Sequence, residues 1–263
     1  MGEITSQRVV ILGAGKVATH LLPALMEAGC RVEQVWSRTE TSARMLAEPL
    51  CIPYTDDLDA IVSDADIYIA CVADKALPLV AEKLVAVVGK NPLYLHTAGS
   101  IDMDLWRRCG ASRFGILYPL QTFSKERVVD ISDVSLFVEA SDEKTMDSVE
   151  GLARRLSGKV FRADSKLRAR LHIAAVFACN FTNAMYDAAQ HLLAEEDIPF
   201  EVLLPLIDET ASKVHALSPH EAQTGPAVRG DKTVMQNHMD ALANDGDLCE
   251  IYERISNYIV RNR

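Results

Sequence analysis

The run Val9-Val10-Ile11-Leu12-Gly13-Ala14-Gly15-Lys16-Val17-Ala18 decides the fold. Four aliphatic residues lead into a Gly-x-Gly-x-x-Ala turn, and an amphipathic stretch over 17–28 follows, stopped by Gly29. That order reads as strand, glycine turn, helix. The first glycine permits a tight turn, the second lets a pyrophosphate approach the backbone, and a small sixth residue lets helix and strand pack closely. The start of the helix then offers unpaired N–H groups and the positive end of its dipole to the phosphates. Gly13, Ala14, Gly15, Lys16, Val17 and Ala18 are therefore read as cofactor-binding.

Working outward, the same alternation continues to about residue 100. Apolar runs at 31–37, 52–54, 67–72 and 93–97 read as strands, with helical stretches at 39–48 and 76–88 between them. Such alternation implies right-handed crossovers and a parallel sheet. Runs at 114–118, 134–139 and 159–162 extend the sheet, the last two separated by a helix over 142–156 with Ser141 or Asp142 as its cap. From Ser165 onward no strand pattern remains, and the longest helical pattern covers 166–193. The expected fold class is α/β: an N-terminal Rossmann domain with a mostly parallel sheet over 1–163, and an all-helical C-terminal domain over 164–263.

Composition excludes several classes. The 263 residues, 49% hydrophobic and 24% charged, are unlike disordered, collagen-like or coiled-coil chains. A formal net charge of −10 opposes phosphate backbones, so no nucleic acid partner is expected. No apolar run approaches the roughly 18 residues that a membrane span requires, so no membrane partner is expected either. Cys30, Cys51, Cys71, Cys109, Cys179 and Cys249 contain no Cys-x-x-Cys pair, and several lie in apolar runs where a thiol behaves as a small hydrophobe. A reducing cytoplasm is the expected location. No His-Glu-x-x-His or closely spaced Cys/His set is present, so no metal is expected.

About 20 residues beyond the glycine turn, an NAD site usually has a carboxylate that accepts from the ribose 2′-hydroxyl. Here that place reads Ser37-Arg38-Thr39. Arg38 can pair with a 2′-phosphate through two parallel N–H bonds, and Ser37 and Thr39 can add hydroxyl hydrogen bonds. The implied cofactor is NADP; the alternative leaves Arg38 solvated and gives the ribose to Glu40. Ligands of open α/β sheets bind beyond the carboxyl ends of the strands. Val72-Ala73-Asp74 and His96-Thr97-Ala98-Gly99-Ser100 hold those places. Val72, Ala73, Asp74, His96 and Ala98 thus join the cofactor set and Ser100 the substrate set, although His96 and Ser100 read equally well as loop caps.

In the long helical pattern Leu167, Leu171, Ala174, Ala178, Phe181, Met185, Ala188 and Leu192 recur at steps of four and three, forming one apolar seam. The opposite face carries His172, Asn180, Asn183, Asp187 and His191 together with Ile173, Val176 and Ala184. Its middle is therefore expected to be buried all round. Buried Asn and His need hydrogen-bond partners, which a ligand in an interdomain cleft or neighbouring helices can supply. His172 has the titration range of a general acid or base, and Asn180, two turns on, can orient a carbonyl, imine or hydroxyl; these two are the candidate catalytic residues. Asn183 is a substrate candidate. Over 224–231, Gly225-Pro226 and Gly230 break the pattern around Arg229, which either clamps a substrate carboxylate or phosphate or pairs with Asp231 to fix the loop. Gln121, in a Pro-Leu-Gln-Thr turn, is a further substrate candidate. The seam exceeds what one small helical domain covers, which predicts a homodimer through the C-terminal helices.

Five stretches carry a resemblance: 13–18, 96–100, Tyr118-Pro119-Leu120-Gln121-Thr122-Phe123, 172–181 and 224–231. Through them nearly the whole chain resembles the Rossmann-like proteins with the domain of unknown function numbered 2520, often labelled NADP oxidoreductases. More broadly the layout is similar to pyrroline-5-carboxylate reductase, the deazaflavin-dependent NADP reductases and the β-hydroxyacid dehydrogenases. Those share an N-terminal Rossmann domain and a helical, often dimer-forming C-terminal domain, and the resemblance implies hydride transfer. The β-hydroxyacid dehydrogenases place a catalytic Lys four residues before an Asn on the first long helix, where this chain has Val176 before Asn180. That departure weakens a hydroxyacid substrate. The implied function is an NADP-dependent oxidoreductase acting on a small carbonyl, imine or related substrate in an interdomain cleft. The alternative is a sensor or scaffold that binds NADP without turnover.

Overall fold

Strand β1 (Arg8–Leu12) is buried on both faces, as a central strand of a covered sheet must be. Val9 and Ile11 point into one apolar cluster and Val10 and Leu12 into another. The computed structural model describes residues 6–262. Among them eight strands form one sheet in the order β3-β2-β1-β4-β5-β6-β7-β8. The others are β2 (Arg31–Trp36), β3 (Tyr54–Thr55), β4 (Ile67–Ala70), β5 (Leu93–His96), β6 (Arg113–Leu120), β7 (Ser135–Ala140) and β8 (Val160–Arg162).

Helices cover both faces. Helices α1 (Lys16–Glu27) and α2 (Glu40–Ala47) follow β1 and β2, and α3 (Leu77–Val88) and the short α4 (Asp104–Arg108) follow β4 and β5. Helix α5 (Glu143–Leu156) joins β7 to β8, with Asp142 accepting from the Thr145 N–H at 2.9 Å as its cap. One face packs Leu21, Leu22 and Leu25 of α1 with Val149 and Leu152 of α5; the other packs Leu77, Val80 and Leu84 of α3 with Trp106 of α4. The strand order reverses between β1 and β4, which opens a crevice at the carboxyl ends of the strands.

All neighbouring strands are parallel except β6 and β7. The chain returns from β6 to β7 without a crossover helix long enough to carry it back across the sheet, so the pair is antiparallel, like a wide hairpin. This detail lies beyond what an apolar run can announce.

Beyond β8 the chain is helical, with α6 (Ser165–Ala175), a π turn over Val176–Phe181, α7 (Thr182–Ala194), α8 (Leu204–Lys213), α9 (Pro226–Arg229), α10 (Lys232–Ala241) and α11 (Gly246–Arg261). Two compact units divide the chain, the first ending at Cys179 and the second beginning at Asn180. Strands end at β8, yet α6 belongs with the sheet, because Arg168 on α6 is ion-paired with Glu139 of β7. In the second unit Asp231 and Asp245 cap α10 and α11, accepting from Val234 and Leu248 N–H at 3.1 and 3.0 Å. No helix among the described residues is long and apolar enough to cross a membrane.

The expected burial of the long helix's middle does not hold in this chain. Ile173 is 58% exposed, Ala174, Ala178 and Ala184 are also exposed, and seam residues Leu167 and Leu192 are 47% and 40% exposed. The π turn explains part of the difference: it winds wider than an α-helix, so the four-and-three spacing no longer describes one straight face across 176–181.

Candidate nucleotide and substrate site

Gly13 has φ +112°, a backbone region that L side chains rarely adopt. Its N–H donates to the Trp36 carbonyl at 2.7 Å, and a Cβ there would lie 2.4 Å from the Cys71 carbonyl oxygen. One residue without a side chain therefore draws β1, β2 and the end of β4 together at the crevice. Gly15 follows as the N-cap of α1, exposed, with no side-chain cap and no acidic residue in the first turn. The first-turn N–H groups thus face outward with their dipole uncompensated, which suits an anion. Lys16 is exposed beside them, Val17 packs against the core, and Ala14 and Ala18 are buried, Ala18 completely.

At the end of β2, Ser37 is buried and its N–H donates to the Thr55 carbonyl at 3.2 Å. Thr39 caps α2: its hydroxyl donates to Ser42 Oγ at 2.9 Å and accepts from the Ser42 N–H at 3.4 Å. Arg38 is exposed between them and makes no ion pair among the described residues. Ser37 is buried and the Thr39 hydroxyl is engaged in its cap, which leaves Arg38 as the exposed side chain without an ion pair.

The ends of β4, β5 and β6 form the rest of this margin. Ala73 and Asp74 are exposed and Val72 half-buried; the Ser100 hydroxyl donates to Asp74 Oδ2. His96 is fully enclosed, its Nδ1 accepting from the Ala98 N–H at 3.2 Å, and burial, then the Arg168 cation, pushes its pKa down to about 3. It is a neutral packing residue and offers no surface to a ligand. Gly99 lies where a Cβ would come within 2.8 Å of the Tyr118 ring and 3.0 Å of His172 Nδ1. Tyr118 Oη and His172 Nδ1 are hydrogen-bonded at 3.2 Å. Tyr118 is buried, His172 half-buried, and burial holds the phenol above its ordinary pKa.

One turn before His172, Arg168 is 1% exposed. Its guanidinium binds Glu139, donates to the Ile101 carbonyl at 2.7 Å and to Ser165 Oγ at 3.2 Å. Glu139 also accepts from the Ser165 N–H at 3.1 Å. This buried cation ties α6 to β7 and to the loop that follows Ser100. Such a pair fixes geometry more than it adds stability, because its desolvation opposes its attraction.

Two family models match the chain: the domain of unknown function DUF2520 over residues 134–259, and shikimate/quinate 5-dehydrogenase over residues 1–99. A solved Bacteroides fragilis protein, provisionally named an NADP oxidoreductase, is 44% identical with a TM-score of 0.92, covering 97% of this chain and 98% of that one. The chain belongs to the DUF2520 family of Rossmann proteins. A reductive aminase from Aspergillus terreus, solved with NADPH and ethyl-5-oxohexanoate, matches at TM-score 0.71 and 19% identity over 98% of this chain and 95% of that one, a likeness of fold alone. Mouse glucose-fructose oxidoreductase domain-containing protein 2 is 25% identical over 227 residues, 86% of this chain. The chain spans 55% of that relative's length.

Four candidates of this DUF2520 protein remain. Gln121 is exposed and its Oε1 accepts from the Thr122 N–H at 2.8 Å. Asn180 on the π turn, Asn183 on α7 and Arg229 at the end of α9 are exposed residues of the second unit. Asp231 caps α10, and no Arg229–Asp231 ion pair occurs among the described residues. Tyr118 and Gly99 stand in the stretches that carry the resemblance but have no site role in the sequence reading, and Arg168 and Glu139 are not singled out there. Arg168 carried a usable signal, since a residue four before His172 on a helix shares its face. The pairing of Tyr118 with His172, 54 residues apart, carried none.

Proposed function

We propose that this chain is an NADP-dependent oxidoreductase that moves hydride between a nicotinamide and a small carbonyl, imine or related substrate. One observation carries the reading: the uncapped, acid-free start of α1 opens directly behind Gly13, where the strand order reverses, with the exposed Arg38 guanidinium at the end of the adjacent strand. Residues 13–18 suit the pyrophosphate, and Arg38 suits a 2′-phosphate in the place where a ribose-binding carboxylate would repel it. When bound, the reduced nicotinamide supplies the hydride; the chain supplies orientation and the proton. His172, half-buried at the same margin, is the candidate proton-handling group. The naming of the Bacteroides fragilis protein and the NADPH in the Aspergillus terreus enzyme support the cofactor.

The working form in this reading is a cytoplasmic homodimer through the C-terminal helices. Exposed apolar side chains along α6, α7, α8 and α11 support association, and six free cysteines suit a reducing compartment. Fluorescence titration with NADPH and NADH tests the cofactor: saturable binding that favours NADPH is expected, and no binding of either overturns the reading. Sedimentation velocity at micromolar concentration tests the dimer, and a sharp monomer boundary would remove it.

A further inference from the structure

Resting on the oxidoreductase reading, we propose that Tyr118 is the proton donor of this site, backed by His172, and that it serves a carbonyl oxygen rather than an imine nitrogen. Position comes first. On β6, Gly115 and Ile116 pair with Leu95 and His96 of β5, so Tyr118 stands two residues further, level with the loop of Ala98 and Gly99. This is the end of the sheet at which Gly13, Asp74 and Ser100 lie.

Contact comes second. The absence of a Cβ on Gly99 is what lets the phenol ring and His172 Nδ1 both approach that loop. Tyr118 Oη and His172 Nδ1 lie 3.2 Å apart; with the imidazole proton on Nδ1, that N–H donates to Oη and leaves the phenol O–H free to donate to a substrate. Arg168, one turn earlier on α6, anchors the helix that carries His172 to Glu139 and Ile101. Its cation and the Asp74 carboxylate both act electrostatically on Tyr118.

Chemistry decides the substrate class. Hydride addition to a carbonyl carbon sends the C=O π pair to oxygen, and the resulting alkoxide is more basic than a phenolate. Tyr118 Oη can therefore give that oxygen its proton even though burial makes it a weaker acid than a free phenol. His172 passes its Nδ1 proton to the phenolate and takes one from solvent at Nε2. The sum is carbonyl, hydride and one solvent proton yielding an alcohol. An imine is protonated by solvent before it accepts hydride, and the amine that results needs no proton from the site, so a built phenol donor serves a carbonyl.

Two measurements test this. In protein labelled with nitrogen isotope at histidine, NMR should find His172 as the Nδ1–H tautomer with Nδ1 donating a hydrogen bond, and Tyr118→Phe should abolish that bond. An unchanged Nδ1 signal overturns the pair. NADPH consumption is then followed with aliphatic aldehydes, ketones and 2-oxo acids, and with five- and six-membered cyclic imines. The expected result is consumption with carbonyl probes, reduced about 100-fold or more in Tyr118→Phe while NADPH affinity stays within about twofold. Consumption with imines alone, carbonyl turnover indifferent to Tyr118→Phe, or NADPH binding with no carbonyl turnover each overturns the proposal. Failure of the wild type to bind NADPH would instead strike the oxidoreductase reading.

Discussion

In the sheet unit Trp106, Tyr68, Tyr94 and Ile11 are fully enclosed, whereas beyond Cys179 Ala227 alone among the described residues is buried, and Leu206, Val202 and Tyr258 are more than half exposed. The contrast is not one of composition, since both units are rich in Leu, Ile and Val. A sheet covered on both faces encloses its own core; a set of helices with side chains left outward keeps its shape by caps and backbone hydrogen bonds but buries little. Each large aliphatic side chain left exposed forgoes about 1.5–3 kcal/mol of burial. The first unit therefore encloses its own core, and the second leaves apolar side chains that the proposed homodimer would cover.

The sharpest way to break this contrast is Arg168→Met. Leaving Glu139 without its cation should cost about 3–5 kcal/mol in chemical denaturation, and adding Glu139→Gln should recover much of the loss. A change below 1 kcal/mol would mean that α6 is not anchored by this pair. Leu22→Ala in α1 should cost about 2–5 kcal/mol at any protein concentration. Leu206→Ala in the second unit should alter a monomer by only about 0.5 kcal/mol, but should weaken a dimer and make the unfolding midpoint depend on concentration. Equal, concentration-independent losses from both would erase the distinction between the units.

Acid provides a gentler comparison. His96 is held neutral with a pKa near 3 by burial, against about 6.5 in the unfolded chain. Between those values the unfolded state binds more protons, so this contribution is complete above about pH 6.5 and is lost as pH falls toward 3. The urea midpoint should decline over that window, and His96→Phe should flatten the decline; an identical slope in the variant would assign acid sensitivity elsewhere. The most local effect is that of Asp245→Ala, which removes the α11 cap and should cost about 1 kcal/mol, read as local amide exchange at Leu248.

What the sequence could convey follows from the range of the interactions involved. The alternation of strands and helices and the turn at 13–18 are local patterns, so the Rossmann plan and the place of Arg38 were legible. The antiparallel β6–β7 pair, the approach of Tyr118 to Gly99 and His172, and the Glu139–Arg168 pair depend on strand order and on residues far apart in the chain, which no window of periodicity contains. His96 illustrates the reverse error. Its place at the end of β5 suggested a ligand contact, but the side chain turns into the cluster around Trp106, with ring centroids 6.4 Å apart. The exposed middle of the long helix has a third cause: a four-and-three pattern identifies an apolar face without saying which surface covers it.

The most direct test of the account is titration calorimetry of NADPH and NADH against the wild type and Arg38→Ala at matched salt. The account predicts that NADPH binds at least about tenfold more tightly than NADH, a difference of about 1.4 kcal/mol, and that Arg38→Ala removes this preference while NADH affinity is little changed. Equal affinities in the wild type, or a preference that survives Arg38→Ala, would contradict the assignment of the 2′-phosphate to the end of β2.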